Sequence, residues 1–227
     1  MRAMQTVSIV VPVLNEALCL PDLLTRALTL LNPNTDIIFV DGGSADNTPL
    51  QIQAAGLRCI TSRHGRAWQM NAGAAQTQGD ILLFLHADTH LPPDGLSSIQ
   101  LRLGSTHCWG RFDVRIAGAS RMLPVIARMM NWRSRLSGIA TGDQALFMTR
   151  AAFNAVHGFP EQALMEDIEI SVRLKKLSRP ACITSPVITS GRRWETHGIW
   201  RTIFLMWRLR WGYWRGQSTD QLAQHYA

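Results

Sequence analysis

Val7 to Val13 is an unbroken apolar run rich in β-branched residues, and after Asn15-Glu16 the apolar positions Leu20, Leu23, Leu24, Ala27, Leu28 and Leu31 recur at helical spacing. This pattern predicts a strand, a loop and a helix. Asp36 to Asp41 predicts a second strand, broken by Gly42-Gly43-Ser44. Leu57 to Thr61 reads as a third strand, Ala67 to Gln78 as a small-residue helix stopped by Gly79, and Asp80 to Leu85 as a fourth strand. Continuously apolar strands that alternate with helices predict a mostly parallel central sheet with helices on both faces, an α/β fold of Rossmann-like character. In such sheets ligands bind beyond the carboxyl ends of the strands.

The second half is less regular. Arg111 to Ile116 alternates Phe112, Val114 and Ile116 with charged neighbours, as a half-buried strand does, and Ala145 to Met148 predicts another strand. Pro160 to Lys176 reads as an acidic loop entering a helix with Ile170, Leu174 and Leu177 as its apolar stripe. From Ile199 the chain runs as an amphipathic helix that places Trp200, Ile203, Phe204, Trp207, Trp211 and Trp214 on one face, flanked by Arg201, Arg208, Arg210 and Arg215. Such a face suits a membrane interface, and packing against the rest of the protein is the rival reading.

Charge narrows the class of partner. The chain of 227 residues carries a formal net charge of +7, and only Lys175 and Lys176 among its 23 basic residues are lysines. Arginine favours bidentate grips on phosphate or carboxylate, so an anionic partner is expected. Cys19, Cys59, Cys108 and Cys182 form no CxxC pair and read as buried thiols of a reducing compartment. No apolar run reaches the length of a bilayer span, which predicts a cytoplasmic protein, peripheral on the inner face of the membrane.

The polar residues concentrate at the predicted strand ends. Asn15-Glu16, Asp41 and Gly42-Gly43-Ser44-Ala45-Asp46 lie where the first two strands stop, placed to meet a base or ribose; the alternative is a plain turn with Asp46 as a helix cap. His86-Ala87-Asp88 closes the fourth strand, where Asp88 would hold a divalent cation on a diphosphate or else cap a turn with Pro92-Pro93. Glu166, Asp167 and Glu169 gather at a helix start, as a base with access to substrate or as acids that complement the helix dipole. Arg192-Arg193-Trp194 and His197 would grip a diphosphate, or form a solvated basic loop.

Taken in order, these segments resemble the family 2 glycosyltransferases of GT-A fold over about residues 6 to 180. Val7 to Glu16 resembles the family's opening strand, and Phe39-Val-Asp-Gly-Gly-Ser-Ala-Asp-Asn-Thr48 its VDDGSxDGT segment. Arg63 to Gly79, with Arg66, Asn71 and Gly73, is similar to the helix before the DxD strand, and Gly142-Asp143-Gln144 to an acceptor-side GDQ segment. The resemblance implies nucleotide-sugar contacts at Pro12, Asn15, Glu16, Asp41, Gly43, Asp46, Arg66, Asn71, His86, Ala87, Arg192, Arg193 and Trp194. It implies a divalent cation, Mg²⁺ or Mn²⁺, at Asp88 with His197, and catalytic work by Asp167, Glu166 and Asp143. Gly42 replaces the second Asp of VDDGS and His86 the first Asp of DxD. That variant, with the tryptophan-rich helix, resembles a bacterial subgroup associated with radical-SAM and selenodomain genes.

The expected organisation is a glycosyltransferase domain over 1–190 and a basic, Trp-rich helical extension over 191–227. The expected reaction moves a sugar from a nucleoside diphosphate sugar to an acceptor hydroxyl, metal-assisted and with inversion. The acceptor is unnamed by the sequence, residues 198–217 are the membrane-contact segment, and nucleic acid is not an expected partner. Two rivals are a nucleotidyltransferase of the same fold, which would need a glycine- and lysine-rich phosphate loop in place of Pro12-Val-Leu-Asn-Glu16, and a non-catalytic basic module that binds membranes or other anions.

Overall fold

The computed structural model describes residues 5–104 and 106–226. Its first half realises the alternating pattern: β1 (Val7–Val13), α1 (Leu20–Leu30), β2 (Thr35–Asp41), α2 (Thr48–Ala54), β3 (Arg58–Thr61), α3 (Arg66–Ala75) and β4 (Ile81–Phe84). All seven residues of β1 are buried, as a strand covered on both faces requires. Pro12 sits inside it at no cost to the ladder, because the β1–β4 pairing ends at Val10 opposite Phe84. The helix expected to reach Gln78 ends at Ala75, and Gly79 is not its cap. Gly79 instead packs on β1, donating its N–H to Ser8 Oγ at 2.9 Å.

The second half adds β5 (Thr89–His90), α4 (Gly95–Arg102), β6 (Trp109–Ala117), α5 (Leu123–Ser137), a 3-10 turn at Gly142–Gln144, β7 (Phe147–Thr149), α6 (Arg150–Ala155), α7 (Glu166–Leu174) and β8 (Ala181–Ser190). The eight strands form one sheet in the order β3-β2-β1-β4-β7-β6-β8-β5. The first four are mutually parallel, β7 is antiparallel to both β4 and β6, β8 is parallel to β6, and β5 is antiparallel to β8. The sheet is therefore mixed, its parallel half holding the expected strand ends. Pro186 interrupts the apolar pattern of β8, and the β6–β8 register shifts between Phe112 and Val114, which lets the proline sit outside the ladder.

Alternate residues of the strands feed two cores. Val7, Ile9, Val11 and Val13 pack with Leu20, Leu23 and Leu24 of α1, Ile52 of α2, Ile99 of α4 and Leu123 and Ile126 of α5. Val10, Ile38 and Val40 pack with Ala67 and Met70 of α3, Phe153 of α6 and Ile170 and Leu174 of α7. Helices thus cover both faces. Leu28, Leu31 and Leu177, expected within apolar stripes, are exposed.

The chain ends in α8 (Arg192–His197), α9 (Ile199–Trp214) and α10 (Thr219–Tyr226). Thr202, Leu209 and Gly212 of α9 are buried, and Leu209 joins Leu222 and Met165 in a third small core. Tyr213 Oη donates to Glu169 Oε2 at 3.2 Å, latching α9 to α7. Trp200, Phe204, Trp207, Trp211 and Trp214 stay on the open side, each at least 58% exposed. Ile203 departs from the expected row and packs against the main core. One face of this helix packs inward, as the packing reading expects, and the aromatic face stays open. No described helix is long and apolar enough to cross a membrane.

Candidate active site

The carboxyl ends of β1 and β2 are tied into one loop cluster. Asn15, at φ 53°, donates its N–H to Ser44 Oγ at 2.9 Å and accepts the N–H of Ala45 on Oδ1 at 2.8 Å. Asp46 accepts the N–H of Ala17 at 3.1 Å and of Thr48 at 2.9 Å, so it joins the β1 loop to the start of α2. Asp41 is buried, and its carboxylate accepts the N–H groups of Gly43 and Ser44, each at 3.0 Å, and the Ser44 hydroxyl. Asp41 therefore shapes the Gly43 turn from beneath. Gly43 adopts φ 93° and is exposed at the tip.

Gly42, the departure from the family's double aspartate, has a local reason. Gln69 of α3 donates from Nε2 to the carbonyls of Val13 at 2.8 Å and Val40 at 2.7 Å, clamping the ends of both strands. A Cβ at 42 would come within 3.0 Å of that amide. The missing aspartate and the buried glutamine are one arrangement.

Glu16 points toward Asp88, Asp46 and Arg192. Burial raises the Glu16 carboxyl pKa, Arg192 opposes the rise, and the charges of Asp88 and Asp46 add to it. Arg192 Nη2 lies 3.8 Å from Glu16 Oε2, so α8 reaches back over the first loop. Asp88 is half-buried, with Oδ1 3.3 Å from Thr89 Oγ1 and 3.5 Å from Thr189 Oγ1. Among the described residues no three His, Cys, Asp or Glu side chains gather into a cation cage. One carboxylate with a second nearby nevertheless suits a hard cation that takes its remaining ligands from a diphosphate and water. His197 stands apart from that group: its Nδ1 faces the carbonyl of Arg193 at 3.2 Å, and its ring lines an arginine-rich cavity of the C-terminal helices.

A second cluster forms around Arg66, the first residue of α3. Its guanidinium feels the phenol of Tyr226 and the carboxyls of Glu166, Asp143 and Asp167. His86 Nδ1 lies 3.5 Å from Asp143 Oδ1, and Gly142 N–H donates to Asp167 Oδ2 at 3.0 Å. The Gly142–Gln144 turn thus joins the end of β4 to the start of α7. The three acids differ in charge state. Burial opposes the Asp143 charge, but the hydrogen bond with His86 and the charges of Arg66 and Arg193 prevail and hold its pKa below the usual carboxylate range. Burial, then the neighbouring Asp167, pushes Glu166 up to about 7. Burial also raises Asp167, against the N–H groups of Gly142 and Ile168 that favour its ionised form. Adjacent acids in one enclosed place resist losing both protons, so this pair keeps a proton to higher pH than Asp143 does. Asp143 keeps 44% of its side chain exposed and Asp167 is half-buried, so both can be reached by a ligand.

Backbone strain marks the same loops. Of the four non-glycine residues at positive φ among the described residues, Asn15 precedes Glu16, Ala145 follows the Gly142–Gln144 turn and Met165 precedes Glu166. Such conformations cost free energy that the surroundings must supply, and they concentrate where side chains are held for function.

Several residues expected at the nucleotide sugar also have structural partners within the fold. Asn71 donates to the Phe159 carbonyl and accepts the Phe159 N–H, both at 2.9 Å, tying α3 to the loop that leads into α7. Ala87 and Pro12 are buried, and Trp194 is half-buried against the main core. Arg111, one of the charged neighbours expected on the open face of a half-buried strand, is 0% exposed and pairs with Asp113 inside the sheet. Two groups escape the sequence reading. Tyr226 approaches Arg66 from the last turn of α10, which no local motif announces. Arg133 of α5 has all three guanidinium nitrogens enclosed and without a hydrogen-bond partner among the described residues. A charge left so enclosed is costly unless a ligand pairs with it.

Known proteins share this fold. Residues 8–154 match the family model described as glycosyl transferase family 2. An undecaprenyl-phosphate 4-deoxy-4-formamido-L-arabinose transferase of Pseudomonas fluorescens is 32% identical over 149 residues, 60% of this chain and 41% of that protein. The chain thus spans under half the length of that curated relative. A mannosyltransferase from Pyrobaculum calidifontis, solved with GDP-Man and Mn²⁺, superposes with a TM-score of 0.62 at 18% identity, covering 83% of this chain and 57% of its own. Glucosyl-3-phosphoglycerate synthase from Mycobacterium tuberculosis, solved with Mn²⁺, UDP and glucosyl-3-phosphoglycerate, gives 0.60 at 20% identity, covering 80% and 70%. These structures carry the same fold, and the matched segment contains the β1 and β2 loops, the β4 end and the Gly142–Gln144 turn. The chain belongs to the family 2 glycosyl transferases.

Proposed function

We propose that the protein transfers a sugar from a nucleoside diphosphate sugar to an acceptor hydroxyl, with the nucleotide held by the first cluster and the chemistry done at the second. The observation that carries this reading is the Gly142–Gln144 turn, which sets Asp143 3.5 Å from His86 beyond β4 and ties Gly142 to Asp167 at 3.0 Å at the start of α7. The acceptor oxygen attacks the anomeric carbon, the bond from that carbon to the diphosphate breaks, and the diphosphate leaves with the electron pair. The hydroxyl proton passes to the Asp167 carboxylate, whose raised pKa makes it a better acceptor than an exposed aspartate. Direct displacement of this kind inverts the anomeric centre.

Glu16 and the Asn15–Asp46 loops cradle the nucleoside, Asp41 and Asp46 acting by shaping those loops, while Arg66 and Arg192 face the diphosphate charge. A divalent cation, when bound, would be held by Asp88 and would neutralise the leaving diphosphate. Residues 191–227 form an extension to the 1–190 domain, whose exposed aromatic row lies in a membrane interface with its arginines at head-group depth. The naming of undecaprenyl phosphate in relatives favours a second reading, in which a lipid phosphate oxygen attacks and Asp167 binds the acceptor instead of taking its proton.

The reaction is tested by NMR of a panel of nucleoside diphosphate sugars incubated with the protein, Mn²⁺ or Mg²⁺ and a bacterial lipid extract. Release of a nucleoside diphosphate with the sugar on an acceptor in the opposite anomeric configuration is expected. Retention of configuration would contradict direct displacement, and consumption of a nucleoside triphosphate with a sugar phosphate would identify a nucleotidyltransferase instead.

A further inference from the structure

We propose that the cavity between α8, α9 and α10 binds a phosphoryl group carried by the acceptor. The inference deepens the transferase reading and rests on it. The cavity has a volume of about 380 Å³, within the range of small-ligand sites. Arg193, Arg201, Arg208, His197 and His225 line it, and among the described residues no carboxylate does.

Its construction favours an anion. Arg201 and Arg208 lie seven residues apart, on one stripe of α9, and line the same cavity as Arg193. Three guanidinium groups held together repel one another, and a phosphoryl group offers the oxygens that relieve them. Arg193 is already positioned: Nη2 donates to the Tyr226 carbonyl at 2.9 Å, and the guanidinium stacks over the Tyr226 ring at 3.6 Å. That stack costs little further ordering on binding, and it spends one of five N–H donors.

The cavity also has the right neighbours. The charge of Arg193 reaches Asp143, and the Tyr226 phenol reaches Arg66, so the cavity adjoins the carboxylate cluster. On its outer side Phe204 lines it and also belongs to the exposed aromatic row with Trp200, Trp207, Trp211 and Trp214. A phosphoryl group seated here leaves an attached apolar chain lying along that row, while the acceptor's reacting oxygen faces the cleft. The phosphoryl group could belong to a lipid or to a soluble phosphorylated acceptor, and the chemistry of recognition is the same.

The test uses the whole protein and the Arg201→Gln/Arg208→Gln double variant. Flotation is compared on vesicles of phosphatidylcholine carrying either a long-chain prenyl phosphate or phosphatidylglycerol at equal negative charge, and inorganic phosphate is tested for thermal stabilisation. We expect the wild type to prefer prenyl phosphate vesicles by about tenfold and the variant to lose that preference. Stabilisation by nucleoside diphosphate should be unchanged in the variant. If vesicles are not distinguished but inorganic phosphate stabilises only the wild type, the site stands with a soluble acceptor. A variant that keeps the wild-type preference, or a wild type that responds to neither probe, overturns the proposal. Failure of the transferase reading would appear separately, as a wild type that no nucleoside diphosphate stabilises.

Discussion

Asp167→Asn is expected to lower kcat by about 10²- to 10⁴-fold, the range that a positioned general base contributes, with nucleotide binding preserved. The amide keeps the shape and can still accept the Gly142 N–H that holds the turn at 3.0 Å, so the structure should survive while proton transfer is lost. Steady-state kinetics on a hydroxyl acceptor check it. A variant with full turnover would show that the acceptor oxygen is already ionised, as a phosphate oxygen is. The pH profile carries the same account. Burial raises the Asp167 carboxyl, the Asp143 charge adds to the rise, and Asp167 must be ionised for base work. The rate should therefore begin to fall, as pH drops, above the range of an exposed carboxylate. Asp143→Asn removes the carboxylate charge that adds to the rise at Asp167, so Asp167 ionises at lower pH and the acid limb moves down. An unmoved limb would contradict the coupling.

Gly142→Ala is expected to cost about a hundredfold in turnover, because the turn carrying Asp143 cannot keep its seat. A Cβ at 142 would lie 2.4 Å from Cε1 and Nε2 of the His86 ring, which is itself boxed in at 9% exposure. Either the ring moves off Asp143 or the turn lifts from Asp167 Oδ2, and both separate the acids from Arg66. Overpacking at such a place also costs roughly 1–3 kcal/mol of stability. A variant with wild-type rate and an unchanged urea midpoint would show that the His86 contact positions nothing.

The parallel half of the sheet was legible because its strands are short apolar runs separated by glycine and helical periodicity, signals that lie within one window of sequence. Their ends, at Glu16, Asp41, Asp46 and Asp88, followed from topology alone. The roles at those ends were less legible, because a carboxylate that shapes its own loop and one that meets a ligand look alike in sequence. Asp41 and Asn71 spend their hydrogen bonds on Gly43, Ser44 and Phe159, contacts visible only in three dimensions. The antiparallel insertion of β7 between β4 and β6 was hidden for a related reason: three residues, Phe147 to Thr149, carry too little pattern to report direction. Arg111 reads as an exposed basic residue of an alternating strand, yet the pairing of β6 with β8 encloses it with Asp113. The return of the C-terminus, which brings Arg192 to Glu16 and Tyr226 toward Arg66, depends on packing of Leu209 and Leu222 against Met165. Those contacts span more than forty residues, beyond the reach of any local motif.

The most direct test of the account is thermal stabilisation of the protein by a panel of nucleoside diphosphates and their sugars, with and without Mn²⁺, repeated on Asp88→Ala. Ligand binding to the folded state raises its stability by RT ln(1 + [L]/Kd), so no acceptor is needed for the reading. The account predicts that one base stands out, that Mn²⁺ increases its effect, and that Asp88→Ala loses the metal-dependent part. A protein that no nucleoside diphosphate stabilises would contradict it.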